Sequence, residues 1–216
     1  MGRDFNAATD NAVLGSDASI DDFTTFTVAF WVKVDSLPFS CVTEKGTFNR
    51  GWTIYLGIFG EFIFVARRVT ANGSWSTTTT ISTGTYYHIA ITYDNSSTAN
   101  VPIIYINGIA DTLTVNSTPS GANQGEAANN LIIGEGTDTF DELDGIVQNY
   151  LYHNAILAAA DINQHMWHGR FPGMKVNHPL YTTKVANEGS ATADITLSGT
   201  TVISIPKTSR PGCGVF

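Results

Sequence analysis

Alternation of apolar and polar residues is the dominant pattern over the first two thirds of this chain. In the segment 26–34, FTVAFWVKV, every second side chain from Phe26 to Val34 is a large apolar one. A period of two is that of a β-strand with one face turned to a core. Similar strand patterns, bounded by glycine, asparagine or proline, occupy residues 41–45, 51–59, 61–67, 77–81, 84–94, 102–110, 112–115 and 130–136. The chain is therefore predicted to be all-β, with antiparallel strands joined by short turns.

The segment 143–162 departs from this pattern because it combines a strand with the start of a helix. Its first half is rich in β-branched and aromatic residues, as strands are. Asn154 then interrupts the strand and is a favourable cap for a helix whose first turn is 158–161. Ile162 and Met166 lie four residues apart, so one face of that short helix is predicted to pack against the core.

Several segments, in this order, resemble motifs of laminin G-like domains of the concanavalin A-like lectin/glucanase superfamily. The matching segments are FTVAFWVK at 26–33, GTYYHIAITYD at 84–94, PIIYING at 102–108, NLIIGEG at 130–136, LDGI at 143–146 and ILAAADI at 156–162. Tyr86 replaces a tryptophan of the family pattern, and Gln148 and Asn149 replace an acidic pair. The resemblance extends from about Arg3 to Trp167. It implies an antiparallel β-sandwich of jelly-roll type with one short helix.

Residues 171–216 differ in composition from the rest of the chain. They are low in charge and rich in threonine, serine and glycine, and residues 180–181 and 194–205 have strand character. We therefore predict two parts, a laminin G-like sandwich at 1–170 and an extended β-rich C-terminal arm at 171–216. The segments 178–180 and 194–201 resemble tails that follow such domains in phage and environmental viral structural proteins. The arm is expected to contact its own sandwich, other virion proteins or further copies of the chain in a homo-oligomer.

The charge balance argues against two classes of partner. With 11 basic and 19 acidic residues the formal net charge is -8, so nucleic acid and anionic membrane surfaces are repelled on average. No run of about 18 apolar residues is present, so no membrane-spanning helix is predicted. Met1 to Phe5 leads into strand-like sequence without the apolar core of a signal peptide. We therefore expect a location on a virion, reached by assembly in the cytosol and lysis, or otherwise an extracellular one.

Cysteines and histidines give no indication of a metal centre. Cys41 and Cys213 leave two alternatives open: a disulfide, which requires Cα atoms within about 7 Å, or two thiols. Their spacing does not match a zinc site. His88 is expected to be a hydrogen-bonded structural residue inside a strand. His165 and His168, at the end of the short helix, are expected to face solvent.

Catalysis is not predicted. Glycosidases on this fold carry Glu-x-Asp-x-x-Glu on a strand, because retention of configuration needs two carboxyl groups about 5.5 Å apart. Glu142 and Asp144 begin that pattern, but Val147 occupies the third position. The pair is better explained as polar residues that precede a strand, and no Ser/His/Asp order indicates a nucleophile.

Carbohydrate binding is a function that the resemblance makes natural, with aromatic and polar residues near loops as the candidates. Arg50, Trp52 and Trp75 form the predicted ligand site, and Trp75, in the turn-like sequence NGSW, is expected to be the most exposed. The alternative is that each tryptophan belongs to the core, which is the commoner position for this residue type.

Calcium is the one cofactor that the resemblance suggests, at the rim of the sandwich. Hard cations take several oxygen ligands, and the predicted set is Asp94, Asn129 and Asp138. Asn129 stands where the family carries an aspartate, which removes one charge. The alternative is that these residues only form turns, so that the protein needs no cofactor.

The sequence thus favours a non-enzymatic virion structural or decoration protein, a capsid- or tail-surface component whose sandwich can bind glycans. The alternative is an extracellular carbohydrate-binding or adhesion module, and a glycoside hydrolase is the least favoured assignment. Because one fold serves many functions, the first two assignments rest on the resemblance.

Overall fold

Two sheets form a β-sandwich in the computed structural model, which describes residues 2–6, 10–137, 141–168, 176–178, 196–198 and 202–203. Sheet A contains β1 (Gly2–Phe5), β3 (Thr25–Val34), β8 (Tyr86–Asp94), β9 (Ile103–Ile106), β10 (Ile109–Ala110), β14 (Gly145–His153), β15 (Val176–His178) and β17 (Val202–Ile203). Sheet B contains β2 (Asn11–Gly15), β4 (Ser40–Thr47), β5 (Arg50–Leu56), β6 (Phe62–Ala66), β7 (Gly73–Thr77), β11 (Leu113–Ser117), β12 (Leu131–Ile133), β13 (Asp141–Glu142) and β16 (Thr196–Ser198). Helix α1 (Ala159–His168) and a short 3-10 turn (Ala18–Ile20) are the helical elements of the described residues.

The predicted fold, an antiparallel jelly-roll sandwich with one short helix, is confirmed by the strand order. Sheet A runs β10-β9-β8-β3-β14-β1-β17, with β15 also beside β14. Sheet B runs β11-β7-β6-β5-β4-β12-β2-β16, with β13 also beside β4. Neighbouring strands are antiparallel except for the short β13, which runs parallel to β4.

Strand β3 shows why the two sheets share one core. Its inward residues, as the alternation predicts, are at most 1% exposed: Phe26, Val28, Phe30, Val32 and Val34. Phe30 stacks on Tyr150 of β14 with ring centroids 6.0 Å apart, and Phe26 stacks on Trp52 of the facing sheet at 5.4 Å. Burial of side chains of this size stabilises the fold by about 1.5–3 kcal/mol each, so these rings hold the sheets together.

Helix α1 lies on the outer face of sheet A. The apolar cluster beneath it contains Ala29, Ala90, Tyr105, Leu151, Leu157 and Ile162. Trp31 donates from Nε1 to the Met166 carbonyl at 3.2 Å, and Thr27 donates from Oγ1 to the Ala155 carbonyl at 2.6 Å. The predicted packing of Ile162 and Met166 is confirmed, since both are buried.

A buried histidine pair connects helix α1 to β8. His88 Nε2 and His165 Nδ1 are 3.0 Å apart, and both side chains are fully buried. Burial, and then the charge of His165, holds the pKa of His88 well below its ordinary value, so His88 is neutral at neutral pH. The structural role predicted for His88 is confirmed, and His168 is exposed as predicted. The solvent-facing position predicted for His165 is wrong, because residues 162, 165 and 166 share one face of the helix.

Short strands from the C-terminal segment extend both sheets. β15 pairs with residues 150–152 of β14, β17 pairs with β1, and β16 pairs with β2. β17 and β16 therefore cover the edges of β1 and β2, which would otherwise expose unpaired backbone groups. The strand character predicted at 194–205 is confirmed as two short strands. The strand predicted at 180–181 lies outside the described residues, and the domain boundary at residue 170 stays a prediction.

Cys41 is fully buried beside Tyr55 and Val65, whereas Cys213 lies outside the described residues, so both alternatives for the pair stay open. Among the described helices, none is long and apolar enough to cross a membrane.

Candidate functional site

A depression of about 290 Å³, here named the Asp94 depression, opens on the outer face of sheet A. Its lining includes Thr92, Asp94, Asn100, Val101, Ile103 and Ile156. Thr92 of β8 and Ile103 of β9 are directly paired. Ile156 comes from the connection between β14 and α1. The depression therefore forms where the loop between β8 and β9 meets the segment between β14 and α1, which is distant in the chain.

Asp94, the last residue of β8, supplies the charge of the depression. Its Oδ1 accepts a hydrogen bond from Ser96 N at 2.9 Å, as in an Asx turn. Hydrogen bonds from the Ser96 side chain and backbone lower the pKa of Asp94 below its ordinary value, so the carboxylate is ionised at neutral pH. Asn100 donates from Nδ2 to the Asp94 carbonyl at 3.0 Å, which fixes the loop between β8 and β9. The depression thus holds an ionised acceptor next to an amide.

Three exposed aliphatic side chains form the apolar part of the depression. Val101 is 56% exposed, Ile103 44% and Ile156 47%. Single exposed residues of this kind are ordinary, but a group of them forms a surface that gains from being covered. Sites for small ligands combine apolar walls with a few fixed polar groups. The depression can therefore accept a ligand that has both hydrogen-bond donors and apolar CH groups.

A second polar group, here named the rim cluster, consists of Asp21, Asp22, Lys45, Glu126 and Asn129. Lys45 donates from Nζ to Asp21 Oδ1 and to the Asn129 carbonyl, each at 2.6 Å. Asp22 N donates to Glu126 Oε1 at 3.0 Å, and Glu126 N donates to Asp22 Oδ1 at 2.9 Å. Burial, followed by the hydrogen bond with Asp22, raises the pKa of Glu126 to about 7. The cluster joins the loop before β3 to the loop before β12.

The tryptophans predicted to bind glycans lie in the core. Trp75 is 1% exposed and stacks on Phe64 at 6.1 Å, and Trp52 is 3% exposed. The predicted exposure of Trp75 is wrong, because the turn ends where β7 begins at Gly73 and Trp75 occupies an inward position of that strand. Of the four tryptophans only Trp167, at 42%, has substantial exposure. A binding role for Trp52 or Trp75 stays a prediction, and neither indole presents a face to solvent.

The other predicted site residues lie in different places. Arg50 is exposed, and its Nη1 is 3.5 Å from the Gly125 carbonyl, beside the rim cluster that contains Asn129. Asp94 belongs to the depression, and Asp138 lies outside the described residues. In the part of the chain that the structure describes, no group of three or more His, Cys, Asp or Glu side chains could hold a metal ion. The calcium site stays a prediction.

The glycosidase pattern is interrupted in space as well as in sequence. Val147 is fully buried between the sheets, so its side chain points away from any ligand surface. Asp144 Oδ2 accepts a hydrogen bond from Ser36 Oγ at 2.6 Å, and Glu142 lies on the short β13 beside Cys41. These contacts agree with the interpretation of Glu142 and Asp144 as polar residues before a strand.

Most of the Asp94 depression is absent from the sequence-based predictions. From the sequence, Asp94 is expected at a metal site, and no role is predicted for Asn100, Val101 or Ile103. One signal was present: residues 103–106 are four consecutive apolar residues, and a strand can turn only every second one to a single face. Some of them therefore had to point outward. The approach of Ile156 depends on tertiary packing and has no local signal.

A laminin G family model, described as the concanavalin A-like lectin/glucanases superfamily, matches residues 6–163. The chain belongs to this family. The match covers strands β2 to β14 and the first half of helix α1, so the recognised motifs and the observed strands agree. Among curated proteins, none matches.

Solved structures with this fold include proteins of several kinds. A heptameric SAP-like pentraxin from Limulus polyphemus has a TM-score of 0.55 at 14% identity, with 75% of this chain and 79% of that chain covered. A "putative carbohydrate binding protein" from Bacteroides ovatus has a TM-score of 0.64 at 17% identity, with 91% and 59% covered. Botulinum neurotoxin type C, described as interacting with two ganglioside molecules, has a TM-score of 0.50 at 17% identity, with 71% and 37% covered. The chain thus spans less than two thirds of the last two proteins, and likeness at these identities shows the fold alone.

Proposed function

We propose that this protein is a non-catalytic carbohydrate-binding module and that the Asp94 depression is its ligand site. The observation that carries the proposal is an ionised carboxylate beside three exposed aliphatic side chains in one concave surface. A sugar ring presents hydroxyl donors at its edge and CH groups on its faces, so it matches both parts. A hydrogen bond to a charged group contributes about 1.5–3 kcal/mol, which makes Asp94 the main polar anchor.

Binding at this site is expected to be weak for each copy. The depression is open and offers few polar groups, so we expect a Kd of about 0.1–1 mM. Joining several copies, as in the homo-oligomer expected from the sequence, raises the effective affinity through multivalency without any new contact.

Two further observations support a binding role without catalysis. The family is lectin-like. Of the similar structures, the Bacteroides ovatus protein is described as a "putative carbohydrate binding protein", and the neurotoxin as interacting with ganglioside molecules. Val147 stands at the third position of the glycosidase pattern and is buried, so the second carboxyl group that hydrolysis requires is missing there.

A glycan array followed by isothermal titration tests the ligand site. The informative variant is Val101→Arg, which fills the depression and places a guanidinium near Asp94. The matched control is Val115→Arg, because Val115 is 55% exposed, against 56% for Val101, and lies on β11 of the other sheet. Val101→Arg should lose binding by at least about tenfold, equivalent to about 1.4 kcal/mol, while Val115→Arg should keep the native affinity.

Asp94→Asn provides a second test of the same site. An asparagine oxygen can still accept the Ser96 N–H bond, so the turn should persist while the charge is lost. Binding should weaken by about tenfold or more. Equal affinities of the native protein, Val101→Arg and Asp94→Asn for a glycan found on the array would show that the ligand site lies elsewhere.

We further propose that the module is displayed on a virion surface, as a capsid or tail component, with an extracellular adhesion module as the alternative. The support is the resemblance of the C-terminal segment to tails of viral structural proteins. A second support is that strands beyond the family match, β15 to β17, extend both sheets. Full-length protein and a variant ending at Arg170 should be compared for co-sedimentation with particles and by electron microscopy. If the full-length protein attaches to particles and the variant ending at Arg170 does not, the virion role is supported. If the full-length protein binds sugar but does not co-purify with particles, the alternative is supported.

A further inference from the structure

The ammonium group of Lys45 occupies a position inside the rim cluster that a bound cation would take. Its Nζ is 2.6 Å from Asp21 Oδ1, 2.6 Å from the Asn129 carbonyl oxygen and 3.4 Å from the Glu126 carbonyl oxygen. The Lys45 side chain has no solvent exposure. Lysine is among the residues that are least often fully buried, and it is buried only when paired. One carboxylate and two backbone carbonyls therefore enclose this charge.

The oxygen atoms around Lys45 are of the kind that bind hard cations. Calcium takes carboxylate and carbonyl oxygens at about 2.3–2.6 Å. The two shortest Nζ–O distances, 2.6 Å each, are at the upper end of that range. A calcium ion held by the Asp21 carboxylate and the Asn129 carbonyl would therefore coincide with Nζ, so these residues do not fit a metal while Lys45 is present.

The loop that supplies the carbonyls is held in an unusual conformation by the same carboxylate. Ala128 has φ 64°, in a left-handed region that residues other than glycine rarely adopt. Its N–H donates to Asp21 Oδ2 at 3.3 Å, while Asp21 Oδ1 binds Lys45. Asn129 N–H closes the turn by donating to the Glu126 carbonyl at 2.9 Å. Lys45 and Asp21 together thus keep both carbonyls directed at one point.

We infer that Lys45 is a built-in substitute for a rim cation, so that the loops of this sandwich keep their shape without calcium. The calcium site expected at Asn129 is then replaced by the chain's own ammonium group. The inference rests on the rim cluster alone and is independent of the ligand proposed for the Asp94 depression.

Thermal unfolding in EDTA and in about 5 mM calcium, a concentration that saturates typical extracellular sites, tests this inference. The native protein should show the same Tm in both buffers. Lys45→Ala leaves the Asp21 carboxylate and the two carbonyls without a cation, and loss of one partner of a buried pair should lower Tm in EDTA by about 10 °C. Calcium should restore at least about half of that loss, because the vacated volume is lined by its preferred ligands.

Lys33→Ala is the matched control. Lys33 forms a salt bridge with Asp35 at 2.5 Å, and that pair is partly exposed. Its loss should change Tm by no more than about 2 °C, with no response to calcium. If Lys45→Ala does not fold in EDTA, refolding from urea with and without calcium replaces the Tm comparison. Any one of three results would overturn the inference. The Tm of the native protein could depend on calcium, Lys45→Ala could keep the native Tm in EDTA, or calcium could fail to raise the Tm of Lys45→Ala.

Discussion

Replacement of Glu126 by glutamine should stabilise this protein at alkaline pH and leave it nearly unchanged at acid pH. Glu126 is 4% exposed, and its carboxylate accepts the Asp22 N–H bond at 3.0 Å. A glutamine side chain keeps an oxygen that can accept this bond. It has no charge to bury, so Glu126→Gln removes the electrostatic penalty while it keeps the connection between the two loops.

The size and sign of the effect follow from the pKa of Glu126. Burial raises that pKa from 4.5 to about 7. Below about pH 4.5 the side chain is protonated in both states and there is no penalty. Between about pH 4.5 and about 7 the unfolded chain has lost this proton while the folded state still holds it, so stability falls as the pH rises and levels off above about 7. At about 1.4 kcal/mol per pKa unit, the full loss is about 3 kcal/mol.

Urea unfolding at about pH 5 and about pH 8 measures this difference, with fluorescence of the buried tryptophans as the signal. Glu126→Gln should raise the free energy of unfolding at pH 8 by about 1–3 kcal/mol more than at pH 5. The control is Glu61→Gln, since Glu61 Oε2 also accepts a backbone N–H, from Phe59 at 3.1 Å, but in an exposed hairpin. If Glu126→Gln has equal effects at both pH values, or destabilises the protein at pH 8, then burial of the Glu126 charge does not destabilise the fold.

Three other outcomes are expected from the same fold. Trp75→Ala should lower the free energy of unfolding by about 3–5 kcal/mol through loss of core packing, while glycan affinity of the folded protein stays unchanged in titration. Because the pKa of His88 lies well below its unfolded value of 6.5, stability should fall as the pH drops below 6.5, by up to about 1.4 kcal/mol per pH unit. His88→Gln should flatten this slope in urea unfolding, best measured in the Glu126→Gln background, where the opposite slope is absent. A chain that ends at Arg170 lacks β15 to β17 and exposes the edges of β1 and β2, so light scattering should detect self-association.

The fold could be predicted because its signals are local. The alternation in β3 identified the inward residues correctly, since a strand has only two faces. An Asn-Gly pair is typical of a type I′ hairpin turn, and Asn107 and Gly108 both have positive φ, 52° and 80°. The predicted exposure of Trp75 is wrong because only the first residues of NGSW belong to the turn and β7 begins at Gly73. The pattern Ser-Trp-Ser across residues 74–76 is itself an alternation, and it indicated a strand with the tryptophan turned inward.

The candidate sites could be predicted only in part, because distant segments form them. Lys45 lies beside Glu44 in β4, and two adjacent charges are typical of a solvated strand end. Both are fully buried, because the ligands of Lys45 come from residues 24 and 84 positions away in the chain. The sequence predicts Asn129 as a calcium ligand, and that site stays a prediction. It could not show that a lysine from another strand would reach the same oxygen atoms.

The geometry of the rim cluster explains why the pKa of Glu126 is raised although the positively charged Lys45 is its neighbour. Lys45 contacts Glu126 through the backbone carbonyl, at 3.4 Å, while its charge is directed at Asp21. The attraction of Lys45 therefore lowers the pKa of Glu126 less than burial raises it. Without the Lys45 ammonium, Glu126 should hold its proton to a still higher pH, and Lys45→Ala should lose stability more steeply than the native protein as the pH rises. Calcium in the vacated position should reduce that steepness, because a cation at this point and a proton on Glu126 both offset the excess negative charge of Asp21, Asp22 and Glu126.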